Sequence, residues 1–184
     1  MLDAILVLLV VECAIGLYIL TLWGEFVFDD LLVLDNTRYY GHKKTGADWK
    51  GLLQSWKNGR ALLWWTYRRD MIKHAIDVRG WHTWNLALHA INTALMFSIL
   101  RWWFDSLPAL AGALLFTAHP IGTASTASIS GRSSLLCGAF YLAAILSFVI
   151  GARWLVMPLA ILGFKSKEEA VLLPMTLFAV WWWQ

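Results

Sequence analysis

The stretch Trp81-His-Thr-Trp-Asn-Leu-Ala-Leu-His-Ala-Ile-Asn-Thr-Ala-Leu-Met-Phe-Ser-Ile-Leu-Arg-Trp-Trp103 decides the fold class. As a helix it is long enough to cross a hydrocarbon core of roughly 30 Å. No Asp, Glu, Lys or Arg falls between Trp81 and Leu100. His82, Asn85, His89 and Asn92 are spaced three, four and three residues apart, which sets all four on one helical face. The opposite positions are Leu, Ala and Ile. Within a membrane span such a polar stripe faces the bundle interior or a cavity. It serves there either as a lining or as interhelical hydrogen bonding. Metal binding fits poorly, because two histidines seven apart do not chelate as an i, i+4 pair does.

The rest of the chain agrees with a membrane setting. Hydrophobic residues make up 59% of the 184 residues, charged ones only 15%, and the mean hydropathy is +0.59. Soluble domains carry roughly 25% charged residues. The charges are concentrated: residues 25–82 hold 10 of the 15 Lys and Arg and 7 of the 12 Asp and Glu. Because acids and bases are interleaved there, the pI near 9.0 does not mark a nucleic-acid surface. Cys13 and Cys137 lie in apolar runs and form no disulfide framework or metal spacing.

Hydropathy predicts an all-α membrane protein, a single module over residues 1–184 with about six hydrophobic helices. The first span lies within residues 1–24. Its acidic start at Asp3 and the lack of a cleavage pattern make it a retained anchor, not a cleaved signal. A long amphipathic loop covers 25–80. Five further segments follow at 81–103, 107–119, 135–150, 154–164 and 170–183. Tryptophans stand at most segment ends, Trp23, Trp154 and the 181–183 triplet among them, where indole rings prefer the lipid–water interface. Three segments are too short for the core thickness unless their helices continue into 123–130 and 165–169, which contain no proline. If all six cross, parity gathers the 25–80 loop, residues 119–132 and residues 165–169 on one face. Short-loop charges do not settle which face that is.

Several polar residues on that face could carry chemistry. Asp29 and Asp30 are adjacent carboxylates just past the first span, suited to a general base or a divalent cation, or else merely solvated at a helix end. Arg132 follows a stretch of small hydroxyl residues, and Lys167 sits in Lys165-Ser-Lys-Glu-Glu169. Either cation could clamp a phosphate or anchor at headgroups. In the long loop, Trp49, Leu52, Leu53 and Trp56 share one helical face and predict an interfacial helix. Residues 62–65 predict a second. Glu12, in the middle of the first span, is expected to be buried and to need a partner or a proton.

Six pieces then resemble, in order, the GT-C membrane glycosyltransferases, most closely the tetratricopeptide-repeat O-mannosyltransferase type and its bacterial relatives. They are Phe26-Val-Phe-Asp-Asp30 followed by Asn36, Tyr67-Arg68, and His82-Thr-Trp-Asn-Leu-Ala-Leu-His-Ala-Ile-Asn92. Ala113-Leu-Leu-Phe-Thr-Ala-His-Pro120, Ser130-Gly-Arg-Ser-Ser-Leu-Leu136, and Lys167-Glu168 ahead of Leu172-Leu-Pro174 complete the set. The resemblance implies an extracytoplasmic first loop bearing the catalytic aspartate, Asp29 or Asp30. It implies a polyprenyl- or dolichyl-phosphate sugar as donor and a protein or glycan hydroxyl as acceptor. Arg132, Lys167 and His119 would surround the donor phosphate, while His82, Asn85, His89, Asn92 and Glu168 would line the cavity. Transfer would be a single displacement with inversion. The setting would be a multi-pass protein of a bacterial inner membrane or the endoplasmic reticulum, among lipids and other membrane chains.

The sequence departs from the pattern where Ala124 replaces a glutamate, Ser134 an aspartate and Arg69 a proline. No tetratricopeptide repeats are present. The alternative is therefore a non-catalytic structural subunit derived from such an enzyme. A small transporter fits less well, since no inverted repeat is evident.

Overall fold

A computed structural model describes residues 2–41 and 59–183, and every regular element among them is helical. In chain order these are α1 (Leu2–Tyr18), α2 (Asp29–Gly41), α3 (Ala61–His74), α4 (Val78–Trp103) and α5 (Ser106–Ala118). They are followed by α6 (Pro120–Ala127), α7 (Arg132–Val149), α8 (Val156–Phe164) and α9 (Leu173–Trp183). Short 3-10 turns extend α1 over Ile19–Trp23, precede α8 at Arg153–Leu155 and precede α9 at Glu168–Leu172. The interfacial helix expected around Trp49, Leu52, Leu53 and Trp56 lies outside the described residues. The second one, at 62–65, is part of α3.

By length and composition, Leu2–Trp23 and Arg132–Val149 can each cross a membrane, and α5 with α6 makes a third if the bent pair counts as one span. Six such helices were expected. The difference has physical causes. The polar stripe and flanking arginines of α4 lower its apolar character, and α8 and α9 are short. Helical continuation is also only partly realised. His119 is extended, its Nδ1 accepts the Ile121 N–H at 3.2 Å, and Pro120 opens a new helix. The chain bends by 53° there. After α8, Lys167 is extended (φ −158°, ψ 147°), which stops any helix through residues 165–169.

α4 is the central element. α1 and α5 pack on one side of it through Val10, Phe97, Ala109 and Ala113, the alanines allowing close approach. On the other side α7 and α9 join it through Ile99, Ala144, Ile145 and Leu173. The Tyr141 hydroxyl also hydrogen-bonds Thr176. One end of the bundle is closed by Asp3, which accepts from Arg101 Nε at 2.9 Å and from Ser106 Oγ at 3.1 Å. Large apolar side chains stay exposed on α1 and α9, including Leu8, Leu17, Phe178 and Trp182. Lipid is the solvent that suits so extensive a bare apolar surface. Glu12 was expected to be buried, but it is exposed on α1.

At the other end, long-range hydrogen bonds draw three stretches together. Asp30 Oδ1 accepts from Ser130 N at 2.8 Å and Ser128 Oγ at 3.0 Å. The Tyr67 hydroxyl donates to Ile129 O at 3.1 Å, and Leu62 N donates to Lys165 O at 3.2 Å. Gly131 makes the 128–131 turn possible, since a Cβ there would lie 2.3 Å from the backbone oxygen of Ser125. Gly131→Ala is expected to destabilise the protein by roughly 1–3 kcal/mol through this overpacking. Gly16→Ala, with nothing within 4 Å, should be neutral or stabilising by up to about 1 kcal/mol. Thermal melts of the two variants in mild detergent test the contrast, and equal melting points would contradict it.

Candidate active site

The polar residues of this end sort into a buried ionic core and two cavities. The core is the Arg132–Asp70 pair, with Nη1 2.6 Å from Oδ2 and both side chains 1% exposed. The two atoms are close but poorly aligned as a hydrogen bond, so neither Asp70 oxygen has an aligned donor. The contact is chiefly electrostatic. Arg132 also donates from Nε to Asn85 Oδ1 at 3.1 Å and from Nη2 to Trp81 O at 2.9 Å. Its guanidinium lies 4.9 Å from the Tyr67 ring centroid and 5.7 Å from that of Trp81, which adds cation–π attraction. Burial pushes the Asp70 carboxyl above its ordinary range, and the Arg132 charge opposes that shift.

The first cavity, about 510 Å³, is mostly apolar. Phe116, Leu135, Tyr141 and Leu172 line it, with polar points at His89, Asn92, His119, Lys167 and Glu169. Lys167 Nζ donates to Ser134 Oγ at 2.9 Å and pairs with Glu169 at 2.7 Å. His89 lies against Thr117 O at 3.3 Å, and Asn92 donates to Leu135 O at 2.9 Å. The second cavity, about 470 Å³, is the more polar of the two, with Asp29, Asn36, Arg60, Ser128 and Ser130 beside apolar Leu32, Leu63 and Trp64. Ser125 and Ser134 line both, so the two cavities share a wall.

The residues singled out in the sequence therefore divide. Lys167, His119, His89 and Asn92 line the apolar cavity and Asp29 the polar one. Asp30 is fully buried, its carboxylate committed to the 128–130 turn and, more loosely, to Val27 N at 3.4 Å. His82 and Asn85 are fully buried and line neither cavity. Asn85 donates to Ser128 O at 2.6 Å, and His82 has no aligned partner. Arg132 reaches neither cavity, because its guanidinium is consumed inside the protein. Glu168 likewise lines neither. It is exposed and takes a forked contact from Arg60, with Nη2–Oε2 at 2.7 Å, which holds its carboxyl below the ordinary range. Among the described residues no group of three or more His, Cys, Asp or Glu could hold a metal ion.

Sequence reasoning missed Asp70, Arg60 and Glu169. Asp70 was findable: Leu63, Tyr67 and Asp70 recur at the i, i+4, i+7 spacing of a buried face. Nothing local marked Arg60.

This arrangement defines an all-helical protein with membrane-length apolar helices and a two-cavity polar end. Comparison with known proteins finds relatives. The chain is 31% identical over 155 residues to protein O-mannosyl-transferase TMTC3 of Mus musculus, which covers 77% of this chain and 16% of that protein. It is 34% identical over 152 residues to protein O-mannosyl-transferase Tmtc2 of Drosophila melanogaster, again 77% and 16%. A protein O-mannosyl-transferase of Caenorhabditis elegans is 27% identical over 188 residues, 90% of this chain and 26% of the relative. The chain thus spans between about a sixth and a quarter of these curated relatives. No family model and no solved structure matches. These relatives are named as protein O-mannosyl-transferases.

Removing one partner of the buried pair should be costly. Arg132→Met is expected to destabilise by about 3–5 kcal/mol, and Arg132→Met with Asp70→Leu to restore at least half of that. Detergent-solubilised thermal melts read the difference. A double variant less stable than the single would contradict the pair's role.

Proposed function

We propose that the chain forms a GT-C-like module that transfers a sugar, a mannosyl group by analogy with the relatives' names, from a polyprenyl-phosphate donor to a protein hydroxyl on the extracytoplasmic face. The observation behind this reading is the shared wall. A lipid-linked donor would lie in the apolar cavity, with its phosphate near Lys167 and His119, while the acceptor hydroxyl would enter the polar cavity beside Asp29. The acceptor oxygen attacks the anomeric carbon, and the bond from that carbon to the phosphate oxygen breaks. Asp29 receives the acceptor proton, and the phosphate leaves with its lipid. Cations near the phosphate stabilise the charge it gains. In this reading α1, α4, α5–α6, α7, α8 and α9 traverse a multi-pass membrane module.

A second reading has its own observation. Ala124 and Ser134, which stand where the resembled enzymes carry carboxylates, both line the polar cavity. Their loss would suit a structural subunit that keeps the architecture without the chemistry.

The two readings separate on Asp29. With a dolichyl-phosphate mannose donor and a serine- and threonine-containing peptide, the full chain in membranes should transfer mannose. Asp29→Asn should lower the rate at least about 100-fold with an unchanged melting point. Asp30→Asn should lower the melting point instead. Undiminished transfer by Asp29→Asn would exclude the catalytic assignment, and no transfer by the unaltered chain would favour the structural subunit.

A further inference from the structure

Two neighbouring glutamates in the 3-10 turn before α9 reach to opposite sides, and each captures one cation from a different cavity. Glu168 takes Arg60, which lines the polar cavity, through contacts from Nε at 3.0 and 3.1 Å and from Nη2 at 2.7 Å. Glu169 takes Lys167, which lines the apolar cavity, at 2.7 Å. The Lys167 ammonium also sits 2.9 Å from Ser134 Oγ, on the wall common to both. Lys167 thus stands at the junction and Arg60 in the second cavity, and each is occupied by a carboxylate of the protein itself.

From this geometry we infer that Glu168 and Glu169 form an anionic latch over a two-cation site for a lipid-linked phosphate, with Arg60 as its second cation. The inference rests on the donor arrangement proposed above and adds its regulation. Both glutamate side chains are largely exposed, at 63% and 59%. Solvent screening keeps such pairs weak, so a ligand can displace them. A phosphate presents more acceptor oxygens and more charge than a carboxylate, and Arg binds it through two parallel N–H donors. Arg60 itself sits in left-handed backbone geometry (φ 56°, ψ 31°) at the start of α3. Two residues on, the Leu62 amide donates to Lys165 O at 3.2 Å. That backbone bond does not depend on the glutamate side chains, so the segment can stay in place when they are released.

The test is calorimetric titration of the full chain, in neutral detergent, with dodecyl phosphate as a lipid-linked phosphate and with inorganic phosphate alone. Glu168→Gln combined with Glu169→Gln removes the competing charges while keeping side-chain shape. It should bind dodecyl phosphate about tenfold more tightly than the unaltered chain. Arg60→Gln should bind at least about tenfold more weakly, with Arg60→Lys intermediate. Inorganic phosphate should bind far more weakly than the alkyl ester. A double glutamine variant with unchanged or weaker binding overturns the latch, and equal binding of inorganic phosphate overturns the lipid-linked source. Loss of melting cooperativity on Glu168→Gln alone would also overturn it, by making the contact structural. No sugar or acceptor takes part, so failure of the transfer reading leaves this outcome readable on its own.

Discussion

The polar end of this protein depends on one guanidinium. Arg132 is taken wholly out of water, which costs several kcal/mol for an isolated ion. It is tolerated because Asp70, Asn85, the Trp81 carbonyl and two aromatic faces surround it. Those partners come from two helices, α3 with Asp70 and Tyr67 and α4 with Trp81 and Asn85, and Arg132 itself opens a third, α7. The ion thus fixes how the loop helix α3 sits on the bundle, and with it where Arg60 and the polar cavity lie. The 128–131 turn, held by Asp30 and Asn85, then positions the serines that face that cavity.

Much of this was legible in the sequence. The ends of the apolar segments agree with the helix ends to within a few residues, because the polar and small residues between the apolar runs also end the helices. The polar stripe of α4 was legible as a stripe, since its spacing follows directly from 3.6 residues per turn. Its division was not. His89 and Asn92 face the apolar cavity, while His82 and Asn85 are fully buried and line neither, Asn85 being bonded to Ser128 O. The aspartate pair shows the same limit. Adjacent residues in a helical turn point about 100° apart, so Asp29 and Asp30 need not share a fate, and only the tertiary structure shows that Asp30 turns inward. Arg132 reads as a free cation until Asp70, far off in the chain, is seen beside it.

Under the proposed sugar transfer, lipid and acceptor would lie on two sides of a serine wall, which suits a mostly apolar cavity beside a more polar one. It also gives a physical meaning to the departures from the resembled pattern. Ala124 and Ser134 soften the charge of the polar cavity and leave Asp29 as its lining carboxylate among the described residues. Ser134 in turn leaves Lys167 with a neutral partner on the wall, so its charge is met by Glu169.

The account requires residues 25–30, 119–132 and 165–169 to lie on one side of a membrane. Single cysteines in a background with Cys13 and Cys137 replaced can be labelled by a membrane-impermeant thiol reagent in sealed vesicles. Cysteines at Glu25, Ala124 and Glu169 should react from the same side, and cysteines at Asp105 and Arg153 only from the other. Reaction of the first three from opposite sides would contradict the shared two-cavity site.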